Sequence, residues 1–75
     1  MNTLALKGKR VSQGKNQEYM ALLIGTTKAT YCRKENGNID FSKNEMVLIA
    51  NDLNFTTEEF FDIFFDSALR LCKHT

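Results

Sequence analysis

Apolar residues recur along the chain at helical spacing, in short blocks separated by small polar breaks, and the pattern predicts five helices. Leu4, Gly8 and Val11 share a face at i, i+4 and i+7, which predicts a first helix from about Asn2 to Ser12 and a break at Gln13–Lys15. Gly8 costs roughly 1 kcal/mol against alanine inside a helix, so it implies either close packing on a neighbour or an early fray. Asn16 is suited to N-cap a second helix, with Met20, Leu23 and Ile24 as its apolar face and small Ala21 permitting a close crossing. Gly25 stands where a left-handed backbone can stop that helix. Thr26 or, preferably, Thr27 caps a third helix from Lys28 to about Glu35, which ends at the turn pair Asn36-Gly37. After Asn38–Asp40, Ser42 and Glu45 form a capping box inside a Phe41/Met46 hydrophobic staple, and Met46, Ile49, Ala50 and Leu53 continue as a buried stripe to Asn54. The same signature recurs at Thr56 and Glu59, inside Phe55 and Phe60.

The segment after Thr56 is apolar on more than one face. Phe60 and Phe64 fall on one stripe and Phe61 and Phe65 on the next, with Ala68, Leu69, Leu71 and Cys72 beyond them. A surface helix needs one apolar stripe, so one set closes a small core. The other set either folds back to finish that core or meets a second copy. The second course is expected here, with Phe61, Phe64, Phe65 and Leu69 as the dimer contact.

Two short helices joined at Gly25, over Gln17–Gly37, have the layout of a helix-turn-helix, whose second helix enters the DNA major groove. The net charge of +1 says little about nucleic acid, but its distribution says more. Through Lys43, eight lysines and arginines face three acids; from Asn44 onward, two face six. A basic half and an acidic half are expected where one face meets phosphates. Seventy-five residues form one domain with a small core, for which oligomerisation is a natural supplement. There is no proline to interrupt a helix, no apolar run of membrane-spanning length and no signal-peptide pattern at the start. Cys32 and Cys72 fit neither metal nor redox spacing, and a reducing cytoplasm is the expected location.

Gln17, Glu18, Ala21 and Gly25, followed by Thr27, Thr30, Arg33 and Asn36-Gly37, resemble the lambda-repressor-like, Cro/cI-type helix-turn-helix family. The motif covers residues 17–37, and the flanking helices extend the resemblance to about 4–65. The opening Leu6–Val11 and the ending Phe60–Phe65 look most like small Cro-like repressors of phages and prophages of low-GC Gram-positive bacteria. The resemblance implies an all-α, five-helix domain with the motif at helices two and three. It implies base-reading by Lys28, Ala29, Cys32 and Arg33, with Lys28 and Arg33 donating to guanine and Ala29 touching a thymine methyl. It implies phosphate contacts from Asn16 and Gln17 at a helix N-terminus, and from Lys15, Thr27, Asn36, Asn38 and Lys43. Gln17 is also expected to brace the third helix. Arg10 and Glu35 match a pair that bridges the first helix to the end of the third. Tyr31 and Lys34 depart from the family pattern. Tyr31 then needs a partner for its hydroxyl, and Lys34 is expected to lay its stem on the core with its ammonium in solvent.

The function expected is therefore a sequence-specific transcriptional regulator that binds double-stranded DNA as a homodimer on a pseudo-palindromic operator. The alternative is a protein-interaction module, an antirepressor, modulator or antitoxin acting through the Phe-rich end. An enzyme is not expected. His74 is the only histidine, Asp62 and Asp66 are an ordinary i, i+4 surface pair, and no nucleophile elbow, phosphate-cradling loop or metal-ligand spacing is present. No cofactor, metal, membrane or small-molecule substrate is expected.

Overall fold

A computed structural model describes residues 1–65 as five helices without a strand: α1 Thr3–Ser12, α2 Gln17–Ile24, α3 Lys28–Glu35, α4 Lys43–Asp52 and α5 Thr57–Phe64. Each helix begins on a side chain that accepts from a backbone N–H three residues on: Asn2 from Ala5, Asn16 from Tyr19, Thr27 from Thr30, Ser42 from Glu45 and Thr56 from Glu59. Both capping boxes are complete, so Glu45 and Glu59 also accept from the backbone N–H of their caps. Of the two threonines that could start α3, Thr27 does so.

The stops are equally local. Gly25, at φ 76°, lets the Thr26 N–H return to the Ala21 carbonyl at 2.9 Å and turns the chain from α2 into α3. Asn54, at φ 56°, does the same after α4, with Phe55 N–H on the Ala50 carbonyl at 2.9 Å.

α2 packs against both α3 and α4, while α1 packs against α3 and α5. The core between them is Leu6, Met20, Ala21, Tyr31, Phe41, Ile49, Leu53, Ile63 and Phe64, with Leu23, Ile24, Met46, Phe55 and Phe60 partly buried around it. Aromatic rings run through it in series, Tyr31–Phe41 at 5.9 Å, Phe41–Phe64 at 5.9 Å and Phe64–Phe60 at 5.2 Å. The Asn2 N–H donates to the Ile63 carbonyl at 2.7 Å, and Lys9 pairs with Glu59 at 2.6 Å, so the start of the chain is fastened to α5.

Three expectations are corrected. The inward face of α1 is not Leu4, Gly8 and Val11: Leu4 is 80% exposed and Val11 57%, whereas Leu6 and Arg10 are buried. A buried arginine lies on the inward side, at a position that the apolar pattern leaves on the surface. Gly8 neither frays α1 nor allows a close crossing, because a methyl group there would meet nothing. Phe64 is not an interface residue: it is 5% exposed and enclosed by Phe41, Phe55 and Phe60. Phe61 and Phe65 do stand on the surface, at 48% and 38% exposed. Leu69, with Asp66, Ala68, Leu71, Cys72 and His74, lies outside the described residues.

Candidate nucleic-acid interface

The α2–α3 pair is held from behind by one buried carboxylate. Glu35, at the end of α3, receives Arg10 Nε at 2.7 Å and Arg10 Nη2 at 3.1 Å, so the resemblance-implied pair is present and forked. The same carboxylate accepts from the Tyr31 hydroxyl at 2.9 Å and from Gln17 Nε2 at 3.2 Å. The third guanidinium donor, Arg10 Nη1, reaches the Lys15 carbonyl at 2.8 Å. The Arg10–Glu35 pair thus ties α1, the loop before α2, the first residue of α2 and α3 together. The departure at Tyr31 has its explanation here: the ring fills the core and the hydroxyl has a carboxylate partner.

The protonation states follow from this geometry. The hydrogen bond to Glu35 outweighs desolvation and holds the Arg10 guanidinium in its charged form. Burial, and then the neighbouring Glu35 charge, push the Tyr31 hydroxyl far above its ordinary range, so it donates as a neutral phenol. Burial pushes the Glu35 carboxyl up, but the hydrogen bonds from Arg10, Tyr31 and Gln17, with the Arg10 charge, more than offset it and leave the carboxyl below the usual carboxylate range. Glu35 therefore contributes stability in full above the unfolded value of about 4.3, and that contribution is lost as pH falls through the depressed folded value. Tyr31→Phe removes one donor to the ionised form, so acid unfolding should begin at a higher pH than in the wild type. Urea midpoints measured across pH 2–6 check this; an unmoved onset would show that Tyr31 does not stabilise the carboxylate.

With Tyr31 and Glu35 turned inward at i, i+4, the opposite side of α3 faces out. Ala29 and Arg33 are exposed there, Lys28 is exposed at the first residue of α3 on the Tyr31 stripe, and Cys32 is half-buried. Lys28 lies 3.8 Å from Glu18, an exposed pair with little energetic weight, and Arg33 forms no ion pair among the described residues. Cys32 Sγ accepts from Asn36 Nδ2 at 3.6 Å. Asn36, Asn38 and Lys43 are exposed around the α3–α4 loop. Lys34 differs from expectation: its ammonium is not in solvent but pairs with Glu45 at 2.6 Å, both side chains being largely covered. That bond fastens α3 to the N-terminus of α4.

At the start of α2, the Asn16 side chain is occupied as a cap and that of Gln17 as a brace. The N–H groups of Gln17 and Glu18 have no acceptor among the described residues and face outward with the positive end of the helix dipole. Beside them lies an open groove of about 380 Å³, lined by Lys7, Arg10, Asn16, Gln17, Glu18 and Lys28. Lys7 is absent from the sequence-based set. Its signal was its position three residues before Arg10, which matters only once Arg10 is known to define the inward side of α1. The Thr27 hydroxyl caps α3 and donates to Thr30 Oγ1 at 3.0 Å.

The arrangement brings Lys7, Lys28, Gln17 and the α2 N-terminus together, with Arg33 further along the same helix as Lys28. It offers hydrogen-bond donors and positive charge to an anion. No group of metal-ligating side chains occurs among the described residues, and none of their helices is long and apolar enough to cross a membrane. No protein-family model, curated protein or solved structure matches this chain.

Proposed function

We propose that the chain is a sequence-specific DNA-binding transcriptional regulator of the lambda-repressor-like, Cro/cI type, working as a homodimer on a pseudo-palindromic operator in the bacterial cytoplasm, as small phage or prophage repressors do. The observation that carries the reading is the polarity of α3. Tyr31 and Glu35 are locked inward, leaving Ala29 and Arg33 on the outward side of α3 and Lys28 exposed at its first residue, beside the α2 N-terminus. A helix-turn-helix has this form: the second helix enters the major groove and the first places its N-terminus on the phosphate backbone. Lys28 and Arg33 then read guanine edges, and Lys7, Lys15, Gln17, Asn36, Asn38 and Lys43 set the register on phosphates.

Selection of duplexes from a random library, followed by titration at several salt concentrations, tests this. The wild type should enrich a two-fold-symmetric site and lose affinity steeply with salt. Arg33→Ala should weaken the selected duplex by about 10- to 100-fold, the magnitude of a lost bidentate base contact, and random duplex far less. Lys28→Ala should act in the same direction. Equal losses on both duplexes would remove the base-reading role.

One observation favours a protein-interaction module instead: Phe61 and Phe65 are exposed side by side, 5.8 Å apart, near the acidic Glu58 and Asp62. Such a module would bind no duplex in a sequence-dependent way and would elute with a partner protein in size-exclusion chromatography.

A further inference from the structure

Lys15, the residue before the α2 cap, is restrained twice. Its backbone N–H donates to the Arg10 carbonyl at 3.2 Å, and its own carbonyl accepts from Arg10 Nη1 at 2.8 Å. Its ammonium rests over the ring of Tyr19, 4.3 Å from the centroid. That ring is itself anchored, because the Tyr19 hydroxyl donates to Asp52 Oδ2 at 2.6 Å across to the end of α4. Asp52 is an odd residue for that place. A carboxylate at a helix C-terminus faces the negative end of the dipole, and Asp52 Oδ1 is buried with no hydrogen-bond partner among the described residues. Nothing in the core requires Tyr19, which is 39% exposed, or an acid at position 52. What the Tyr19–Asp52 bond does accomplish is to fix an aromatic face under a lysine at the start of α2.

We propose that Tyr19, anchored by Asp52, is a positioning residue for Lys15 and sets its ammonium to meet a DNA phosphodiester beside the α2 N-terminus. The inference rests on the DNA-binding reading. An ammonium over a ring uses one side for the cation–π contact and keeps N–H donors on its outer side for phosphate oxygens. Holding a flexible lysine in place reduces the rotamer freedom lost on binding. Lys15 then lies on the Tyr19 side of Asn16–Gln17, while Lys7 and Lys28 line the groove beside the same residues.

Two measurements on the full chain separate this inference from the reading beneath it. The first needs no DNA. In the wild type the Lys15 side-chain methylene protons nearest the ammonium should resonate upfield, shifted by the Tyr19 ring current. Tyr19→Leu should return them to the ordinary lysine position with the helical circular dichroism unchanged, and Tyr19→Phe should retain part of the shift. The second is the salt dependence of binding to a random-sequence duplex. Lys15→Ala should make the log–log slope shallower by about 0.9 for each bound subunit, the value of one lost phosphate contact. Tyr19→Leu should weaken low-salt binding by about threefold, in line with an exposed cation–π contact, and should add nothing to Lys15→Ala. An ordinary Lys15 position in the wild type would overturn the inference, as would a ring-shifted Lys15 with a Tyr19→Leu affinity equal to the wild type. A wild type that binds no duplex while Lys15 is ring-shifted would instead overturn the DNA reading and take the phosphate role with it.

Discussion

Arg10→Met should be the most damaging single substitution at a charged position, lowering stability by about 3–5 kcal/mol. The side chains of Arg10 and Glu35 are only 8% and 2% exposed, so removing the guanidinium leaves a carboxylate in the interior with only Tyr31 and Gln17 to satisfy it. A chain of 75 residues has about 4–11 kcal/mol of total stability, so the loss takes at least about a quarter of it and shifts the unfolding midpoint well below the wild type. Chemical unfolding with urea, followed by circular dichroism, measures the loss; a midpoint equal to the wild type would refute the structural role of the pair. The pair itself is a different matter from its rupture. Replacing buried ion pairs by hydrophobes of similar volume is often neutral or better. Arg10→Met combined with Glu35→Leu should therefore recover part of the loss. Because that combination leaves the Tyr31 hydroxyl without its acceptor, at a cost of about 1–3 kcal/mol, adding Tyr31→Phe should recover more. Recovery of folding without recovery of DNA affinity would show that the network matters for the setting of α2 against α3 and not only for stability.

Phe64→Ala should cost about 3–5 kcal/mol, the range for a buried phenylalanine, because the ring lies between Phe41, Phe55 and Phe60 and its loss leaves a cavity that three aromatic neighbours cannot easily fill. Phe61→Ser, three residues earlier, should change the stability of a monomer by no more than about 0.5 kcal/mol. If the exposed stripe is the homodimer contact, Phe61→Ser and Phe65→Ser should instead weaken self-association in sedimentation experiments and make the unfolding midpoint less dependent on protein concentration. Equal destabilisation by Phe61→Ser and Phe64→Ala would contradict the division of the two stripes. Wild-type self-association that survives both serine substitutions would place the dimer contact elsewhere.

The sequence by itself determined the five helices, the caps of the last four and the stops at Gly25 and Asn54. A cap is a hydrogen bond between residues three apart, so Asn16, Thr27, Ser42 and Thr56 can be recognised without knowing what surrounds them. Gly25 and Asn54 are likewise suited by their own chemistry to left-handed backbone. The positions now exposed on α3 were legible through their resemblance to a family motif. Tertiary structure decided what depends on distant partners. The inward side of α1 follows Arg10, whose partner is 25 residues away, and a buried ion pair reads as surface in any hydrophobic pattern. Lys34 reads as a snorkelling lysine until Glu45 is brought to 2.6 Å. Tyr19 and Asp52 carry no joint signal across 33 residues. Of the two phenylalanine stripes on α5, equally apolar in sequence, the placement of Phe41 and Phe55 decides that Phe64 turns inward while Phe61 and Phe65 remain outside, because a small core has room for one stripe.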